Sequence, residues 1–297
     1  MIRALIFTDL DGTLLDDRYD LAGAAQAMDR VAEGGGVVIP VSSKTHAEME
    51  LLRARQSVAT PFVFENGAGI DWGEDQQWAS GLFNLPTGLC LDGSSYKNIC
   101  DHLSRIREQL DIEFVGFSEL STRQVAALTD LSMQGARLAK LRMASEPISG
   151  LCEEDAPLLE KALNRRGLML QKGGRFYTAT IARDKGDAVA EIFSVLRRSN
   201  VCPEHVVICG DSPNDLSMLA LGDVAVVFSC LPPNEMRRLD DNLHEIYDMK
   251  SHFLDAARVY ITQRGDIDNY FGLAKGTGGD SKNRSAIGIK ADHVRVI

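Results

Sequence analysis

Short, nearly uninterrupted apolar runs alternate with helical patterns near both ends of this chain, and this alternation constrains the fold more than any other feature. The runs are residues 4–7, 37–41, VVIC at 206–209 and VAVVF at 224–228, the later ones rich in β-branched side chains. Helical spacing of apolar residues follows at about 22–34, in the stretch carrying Met49 and Leu52, and again after Lys185 with Val189, Ile192, Phe193 and Leu196. Strands that are apolar on both faces and separated by helices belong in a parallel sheet covered on both sides. PFVFENGAGI, at 61–70, adds a third strand.

Between about 84 and 179 the pattern changes. Helical segments are expected at 94–110, 121–134 and 155–166, with strand-like pieces at 112–117, 138–143, 168–171 and 175–181. The chain is therefore read as an α/β doubly wound host, residues 1–83 and 180–260, carrying an inserted α+β domain at 84–179. Residues 261–297 form a tail of unassigned role that contains the low-complexity run GTGGDSKNRS.

Composition narrows the function classes. With 297 residues, of which 44% are hydrophobic, the chain can bury real cores. A formal charge of -10 argues against a nucleic-acid surface, which would need a basic face. No run approaches the roughly 20 apolar residues of a membrane span, and the N-terminus turns acidic at Asp9 before a signal peptide's apolar region forms. The expectation is a cytoplasmic enzyme with a small-molecule partner, no nucleic acid and no membrane. Cys90, Cys100, Cys152, Cys202, Cys209 and Cys230 show no metal-binding grouping and are read as reduced thiols, while the six histidines form no cluster. Nothing in the pattern specifies an oligomeric state.

Four polar groups sit where apolar strands run out. Asp9 and Asp11 end the first strand, and two carboxylates two residues apart repel unless a cation, a proton or chemistry holds them together. Taken alone, such a pair is also a solvated turn or the metal motif of a sugar-nucleotide transferase. Ser42, Ser43 and Lys44 follow the second strand and open a helix, where hydroxyls and unpaired backbone N–H groups bind anions; an ordinary helix N-cap uses the same residues. Lys185 opens an amphipathic helix, against the dipole's preference, which a bound anion or carboxylate would offset. Asp211, Asn214 and Asp215 lie in GDSPNDLS directly after VVIC and have the oxygen chemistry of hard-cation ligands. The edge at which open parallel sheets bind ligands is the carboxyl edge, where all four groups fall.

In this order the four groups resemble the motifs of the haloacid dehalogenase (HAD) superfamily of phosphatases: DLDGTLLD the first, Ser42 in SSKT the second, Lys185 the third and GDSPND the fourth. ENGA at 65–68 and the position of the insert resemble the branch with a large type C2B cap. SSKTHAEM, LRMASEP at 141–147 and GGRFYTAT at 173–180 are most similar to the mannosyl-3-phosphoglycerate phosphatase family.

The resemblance implies a Rossmann-like core and a phosphosugar phosphatase that acts on mannosyl-3-phosphoglycerate. Asp9 is then the nucleophile and Asp11 the general acid and base. Ser42 and Lys185 hold the phosphate, and Mg2+ is bound by Asp9, Asp11 and Asp211, with Asn214 and Asp215 behind it. Arg142 and Arg175 are the candidates for a glycerate carboxylate, since a guanidinium fork suits it. Ser43 and Lys44 are expected to contact the substrate from the core side, and Glu146, with Glu65 and Asn66, to accept sugar hydroxyls. A phosphatase for another phosphosugar (glucosyl-3-phosphoglycerate or sucrose 6-phosphate), a phosphomannomutase-like phosphotransferase and a non-catalytic phosphate sensor are the competing readings, and the paired Asp9 and Asp11 count against the sensor.

Overall fold

A computed structural model describes residues 2–15, 21–74, 77–79, 85–91, 96–173, 175–229, 258–263 and 295–296. In chain order the first elements are β1 (Ala4–Thr8), α1 (Leu21–Glu33), β2 (Gly36–Pro40), α2 (His46–Arg53), β3 (Phe62–Phe64), β4 (Gly69–Asp71) and β5 (Leu89–Leu91). Next come α3 (Tyr96–Leu110), β6 (Val115–Gly116), α4 (Thr122–Thr129), α5 (Met133–Ala139), β7 (Ser145–Ser149), α6 (Ala156–Asn164), β8 (Leu168–Lys172) and β9 (Tyr177–Ile181). The last are α7 (Lys185–Arg198), β10 (His205–Gly210), α8 (Leu216–Leu219), β11 (Val224–Ser229), β12 (Arg258–Gln263) and β13 (Arg295–Val296).

The core sheet has the order β13-β12-β11-β10-β1-β2, parallel throughout except for antiparallel β13. Every residue of β1 and β2 is buried, as the apolar runs require, and helices cover both faces. α7 packs Val189, Ile192 and Leu196 with Leu5, Phe7 and Ile39 on one side, while α1 and α2 pack Met28, Val31 and Met49 with Ile6 and Val38 on the other. Alternation along the strands separates these two sets of side chains.

Register decides where the polar groups meet. Thr8 of β1 is level with Cys209 of β10 and Pro40 of β2, so Asp9, Ser42 and Asp211 all leave the sheet within two residues of one line. The chain continues from β1 to β2 on one side, while β10 flanks β1 on the other, which opens a crevice at this edge. The Asp9 N–H still donates to the Cys209 carbonyl at 2.9 Å, and the Val41 N–H to that of Thr8 at 2.8 Å.

The inserted cap is a four-stranded antiparallel sheet, β6-β7-β9-β8, packed on α3 and α6 around Ile99, Ile106, Leu159 and Leu163. Several expected elements differ in detail. The single helix at 121–134 is two, because Asp130 takes a left-handed conformation (φ 62°) at the end of α4 and Ser132 starts α5 by accepting the Gly135 N–H. The strand expected at 138–143 is instead the last turn of α5 and a loop, with pairing beginning only at Ser145. The piece at 112–117 pairs over only two residues.

PFVFENGAGI is not one strand but the antiparallel pair β3 and β4 around a 3-10 turn at Glu65–Gly67, and β5 pairs with β4. Residues 261–263, expected in the tail, complete a core strand parallel to β11. The low-complexity run at 276–285 and Cys230 lie outside the described residues. The other five cysteines are unpaired. No helix among the described residues is long and apolar enough to cross a membrane.

Gly67 locks the 3-10 turn against the start of α7. Its φ is +99°, and a Cβ there would lie 2.1 Å from the Asp184 carbonyl oxygen. Gly67→Ala is expected to destabilise the protein by about 2–4 kcal/mol and to displace Lys185, measured as a lower urea midpoint together with reduced turnover.

Candidate active site

Lys185 is the centre of the site. It is the first residue of α7, whose start is set by a capping box in which Asp184 and Asp187 each accept the other's N–H at 3.0 Å. That start aims the lysine into the sheet edge, where its side chain is 1% exposed and its Nζ donates to Asp9 Oδ1 at 2.5 Å and to Asp215 Oδ1 at 2.7 Å. Burial alone would strip its proton. The Asp215 and Asp9 carboxylates outweigh that cost, so the ammonium is held above the ordinary lysine range.

Asp9 is buried at the same point. Burial, opposed by the Lys185 charge but reinforced by Asp215, Asp11 and Asp211, pushes its carboxyl well above the ordinary carboxylate range. Asp215 is fully buried, and its second oxygen accepts the N–H groups of Asp211 and Ser212, both at 3.0 Å. This folds GDSPND into a turn that presents the exposed Asp211 beside Asp9. Oxygens of Asp9, Asp211 and Asp215 lie within 4.8 Å of one another. Three carboxylates against one ammonium leave excess negative charge, and an all-oxygen donor set suits a hard divalent cation, so these residues fit Mg2+. Asp215 has both oxygens engaged, by Lys185 and by the Asp211 and Ser212 N–H groups, and Asn214 links this turn to the ENGA turn by donating to Asn66 Oδ1 at 3.1 Å.

Asp11, two residues beyond Asp9, is only half-buried. Lys44 Nζ donates to its Oδ2 at 2.8 Å and lies 2.7 Å from its Oδ1. Burial opposes the Lys44 charge, but Asp11, Glu48 and Asp9 raise its affinity for the proton overall. Ser42 is fully buried, and its Oγ accepts the Lys44 N–H at 3.2 Å. Thr45 and Glu48 form a second capping box at the start of α2. Its T-x-x-E spacing was open to reading in the sequence, and it brings Glu48, an unanticipated carboxylate, to the site.

A cavity of about 520 Å³ joins this edge to the cap. Asp9, Asp11, Ser43, Lys44, Asn66 and Asp211 line it from the core. Arg142, Arg175, Phe117, Phe176 and Thr178 line it from the cap, where the Phe117 and Phe176 rings meet edge to face with centroids 5.2 Å apart.

The cap candidates separate. Arg142 reaches the cavity, with Nη1 donating to the Ser43 carbonyl at 2.9 Å and to Ser145 Oγ at 3.1 Å, and Nε to the Ala139 carbonyl at 3.0 Å. Its Nη2 has no partner among the described residues. Arg175 lines the wall, but its guanidinium donates to the Thr129 and Leu128 carbonyls and to Asp130, completing the end of α4. Glu146 is not in the cavity. The alternation of β7 turns it to the back of the cap sheet, where it accepts the Tyr96 hydroxyl and the Ser118 N–H, each at 2.7 Å. Glu65 is not available to a sugar either, because backbone and hydroxyl groups of the cap occupy both its oxygens.

His46, Glu50 and Asp71 form another close group on the far side of α2. The Arg53 guanidinium reaches both carboxylates, at 2.8 and 2.9 Å, and His46 Nε2 lies 2.5 Å from Asp71 Oδ2, which makes the group a structural ion-pair network.

No protein-family model matches the chain. It is 32% identical over 227 residues to the glucosyl-3-phosphoglycerate/mannosyl-3-phosphoglycerate phosphatase of Persephonella marina, a match covering 75% of this chain and 84% of that one. A phosphatase of the same name from Methanococcoides burtonii is 34% identical over 231 residues, with the same coverage of 75% and 84%. A haloacid dehalogenase-like hydrolase from B. subtilis shares the fold, with a TM-score of 0.56 at 18% identity over 86% of this chain and 94% of that one. With its four polar groups gathered at one sheet edge beneath an α+β cap, the chain belongs to the glucosyl-3-phosphoglycerate/mannosyl-3-phosphoglycerate phosphatases, a family built on the haloacid dehalogenase fold.

Proposed function

We propose that the protein is a Mg2+-dependent phosphomonoester hydrolase that converts mannosyl-3-phosphoglycerate to mannosylglycerate and inorganic phosphate. The single observation that carries this reading is Asp9, a buried carboxylate at a strand end, held by Lys185 at 2.5 Å and opening on a cavity that an arginine enters from the cap. The shared name of the two relatives supports the substrate class and makes glucosyl-3-phosphoglycerate the second reading.

A phosphate monoester resists an anionic nucleophile, so the site must neutralise charge and fix geometry. Lys185 holds Asp9 at its Oδ1, and the buried position keeps water from competing for the carboxylate. An Asp9 oxygen attacks phosphorus, the ester P–O bond breaks, and the glycerate oxygen leaves with a proton from Asp11. Water then attacks the aspartyl-phosphate, Asp11 takes its proton, and phosphate departs as Asp9 is regenerated. Asp11 is paired with Lys44, so a dianionic substrate that draws the Lys44 charge toward itself frees Asp11 to carry the proton. Ser42 and the N–H groups around it hold phosphate oxygens. Asp9, the Asp11 carbonyl and Asp211 would hold Mg2+, which would offset the negative charge of the phosphate and the clustered carboxylates.

The cap formed by the insert would close the cavity against water. Arg142 would read the glycerate carboxylate through Nη2, with Ser43 and Lys44 beneath it, while Phe117 and Phe176 offer apolar faces to the sugar. The role of Arg175 in this scheme is to fix the wall that these rings occupy.

Phosphate release from mannosyl-3-phosphoglycerate, glucosyl-3-phosphoglycerate, sucrose 6-phosphate and mannose 6-phosphate tests the assignment directly. Preference for the two phosphoglycerates, abolished by EDTA and restored by Mg2+, is the expected result; release from neither of them would end it. Asp9→Asn is expected to lower kcat by on the order of 10³-fold or more while the protein stays folded, as followed by circular dichroism. Arg142→Ala is expected to raise KM for the phosphoglycerate about tenfold or more and to leave p-nitrophenyl phosphate nearly unchanged; equal losses on both would remove its carboxylate-reading role.

A further inference from the structure

Glu65 is the buried acid that the mechanism leaves unused. It is completely excluded from solvent, sits at φ 48° in the 3-10 turn of the core, and spends both oxygens on the cap. Oε1 accepts the Met143 N–H at 2.8 Å, and Oε2 accepts the Ala144 N–H at 2.9 Å and the Ser145 hydroxyl at 2.7 Å. A side chain that only filled space would not need a carboxylate here, and a left-handed backbone is not adopted by a glutamate without compensation.

The three donors follow directly after Arg142: Met143 and Ala144 end the loop that leads from α5, and Ser145 opens β7. Ser145 is shared, since its Oγ donates to Glu65 and accepts from Arg142 Nη1 at 3.1 Å. The same Nη1 reaches back to the core at the Ser43 carbonyl. A second tie, from the Thr45 hydroxyl to the Leu138 carbonyl at 2.9 Å, holds the end of α5 to the start of α2. The next residue of the turn, Asn66, accepts from Asn214 in the turn that carries Asp211 and Asp215, and Gly67 abuts the backbone of Asp184 and Lys185. One three-residue turn therefore touches the cap loop, the metal-supporting turn and the lysine helix.

The geometry points to Glu65 as a positioning residue that seats the cap loop 143–145 on the core and, through the Ser145 hydroxyl, aims Arg142 into the substrate cavity. Selectivity for a carboxylate-bearing phosphate ester then depends on a residue that touches no substrate. The inference rests on the proposed role of Arg142 for its kinetic consequence, and on the Glu65 hydrogen bonds alone for the seating.

Glu65→Gln keeps the shape but turns an amide NH2 toward N–H donors. It is expected to raise KM for mannosyl-3-phosphoglycerate about tenfold with kcat within about threefold, to leave p-nitrophenyl phosphate unchanged, and to speed amide hydrogen exchange at Met143 and Ala144. Ser145→Ala cuts only the relay and should raise the same KM by about threefold while those amides stay protected. Wild-type KM in both variants, or exchange at 143–144 unaltered in Glu65→Gln, would overturn the assignment. So would equal loss on both substrates. Should the unmodified enzyme ignore both sugar phosphoglycerates, the substrate reading fails by itself, and the exchange experiment still decides whether Glu65 seats the loop.

Discussion

The buried ammonium of Lys185 between Asp9 and Asp215 is the contact on which the rest of the molecule depends. An unpaired charge at that depth would cost several kcal/mol, and the same holds for either carboxylate, so each member is tolerable only because the others are present. The three come from the end of β1, the start of α7 and the turn after β10. Their pairing therefore ties together segments separated by 176 and 30 residues in the chain. It also leaves the trio one charge too negative, which favours a divalent cation beside it.

Around that centre the backbone is arranged to allow close approach. Gly67 has no side chain where the Asp184 carbonyl presses on it, and Gly210 lies where a Cβ would meet the Asp215 side chain at 2.5 Å. The two capping boxes beside the site serve the same end, because each begins a helix at a defined residue and thereby aims what precedes or opens it: Ser42 to Lys44 before α2, and Lys185 at the head of α7. Helix termini here are positioning devices as much as anion sites.

The cap shows how one residue type divides between roles. Arg142 and Arg175 carry identical groups and both line the cavity, yet Arg175 is bound to the carbonyls that end α4, whereas Arg142 bridges loop and core with one guanidinium nitrogen to spare. Glu65 and Glu146 diverge similarly. One fastens the cap to the core, and the other satisfies a tyrosine hydroxyl and an N–H behind the cap sheet. In each pair the deciding factor is which backbone carbonyl or amide lies within 3 Å, and that is a product of packing.

The core was legible in the sequence because its signals are local. Period and apolarity mark β1, β2, β10 and β11, and a polar residue at the end of an apolar run marks the carboxyl edge, so Asp9, Ser42, Lys185 and Asp211 could be named from order alone. The cap was legible in class but not in detail, since a left-handed Asp130 and a two-residue strand leave no periodic trace. What the chain determines by itself is which residues end its strands and begin its helices, for hydrophobic spacing and capping chemistry act over a few positions. What only the tertiary structure decides is which polar groups find one another. The lysine's two partners, the seating of Glu65 and the split between the two arginines depend on distances between segments brought together by burial, and no spacing along the chain encodes those distances.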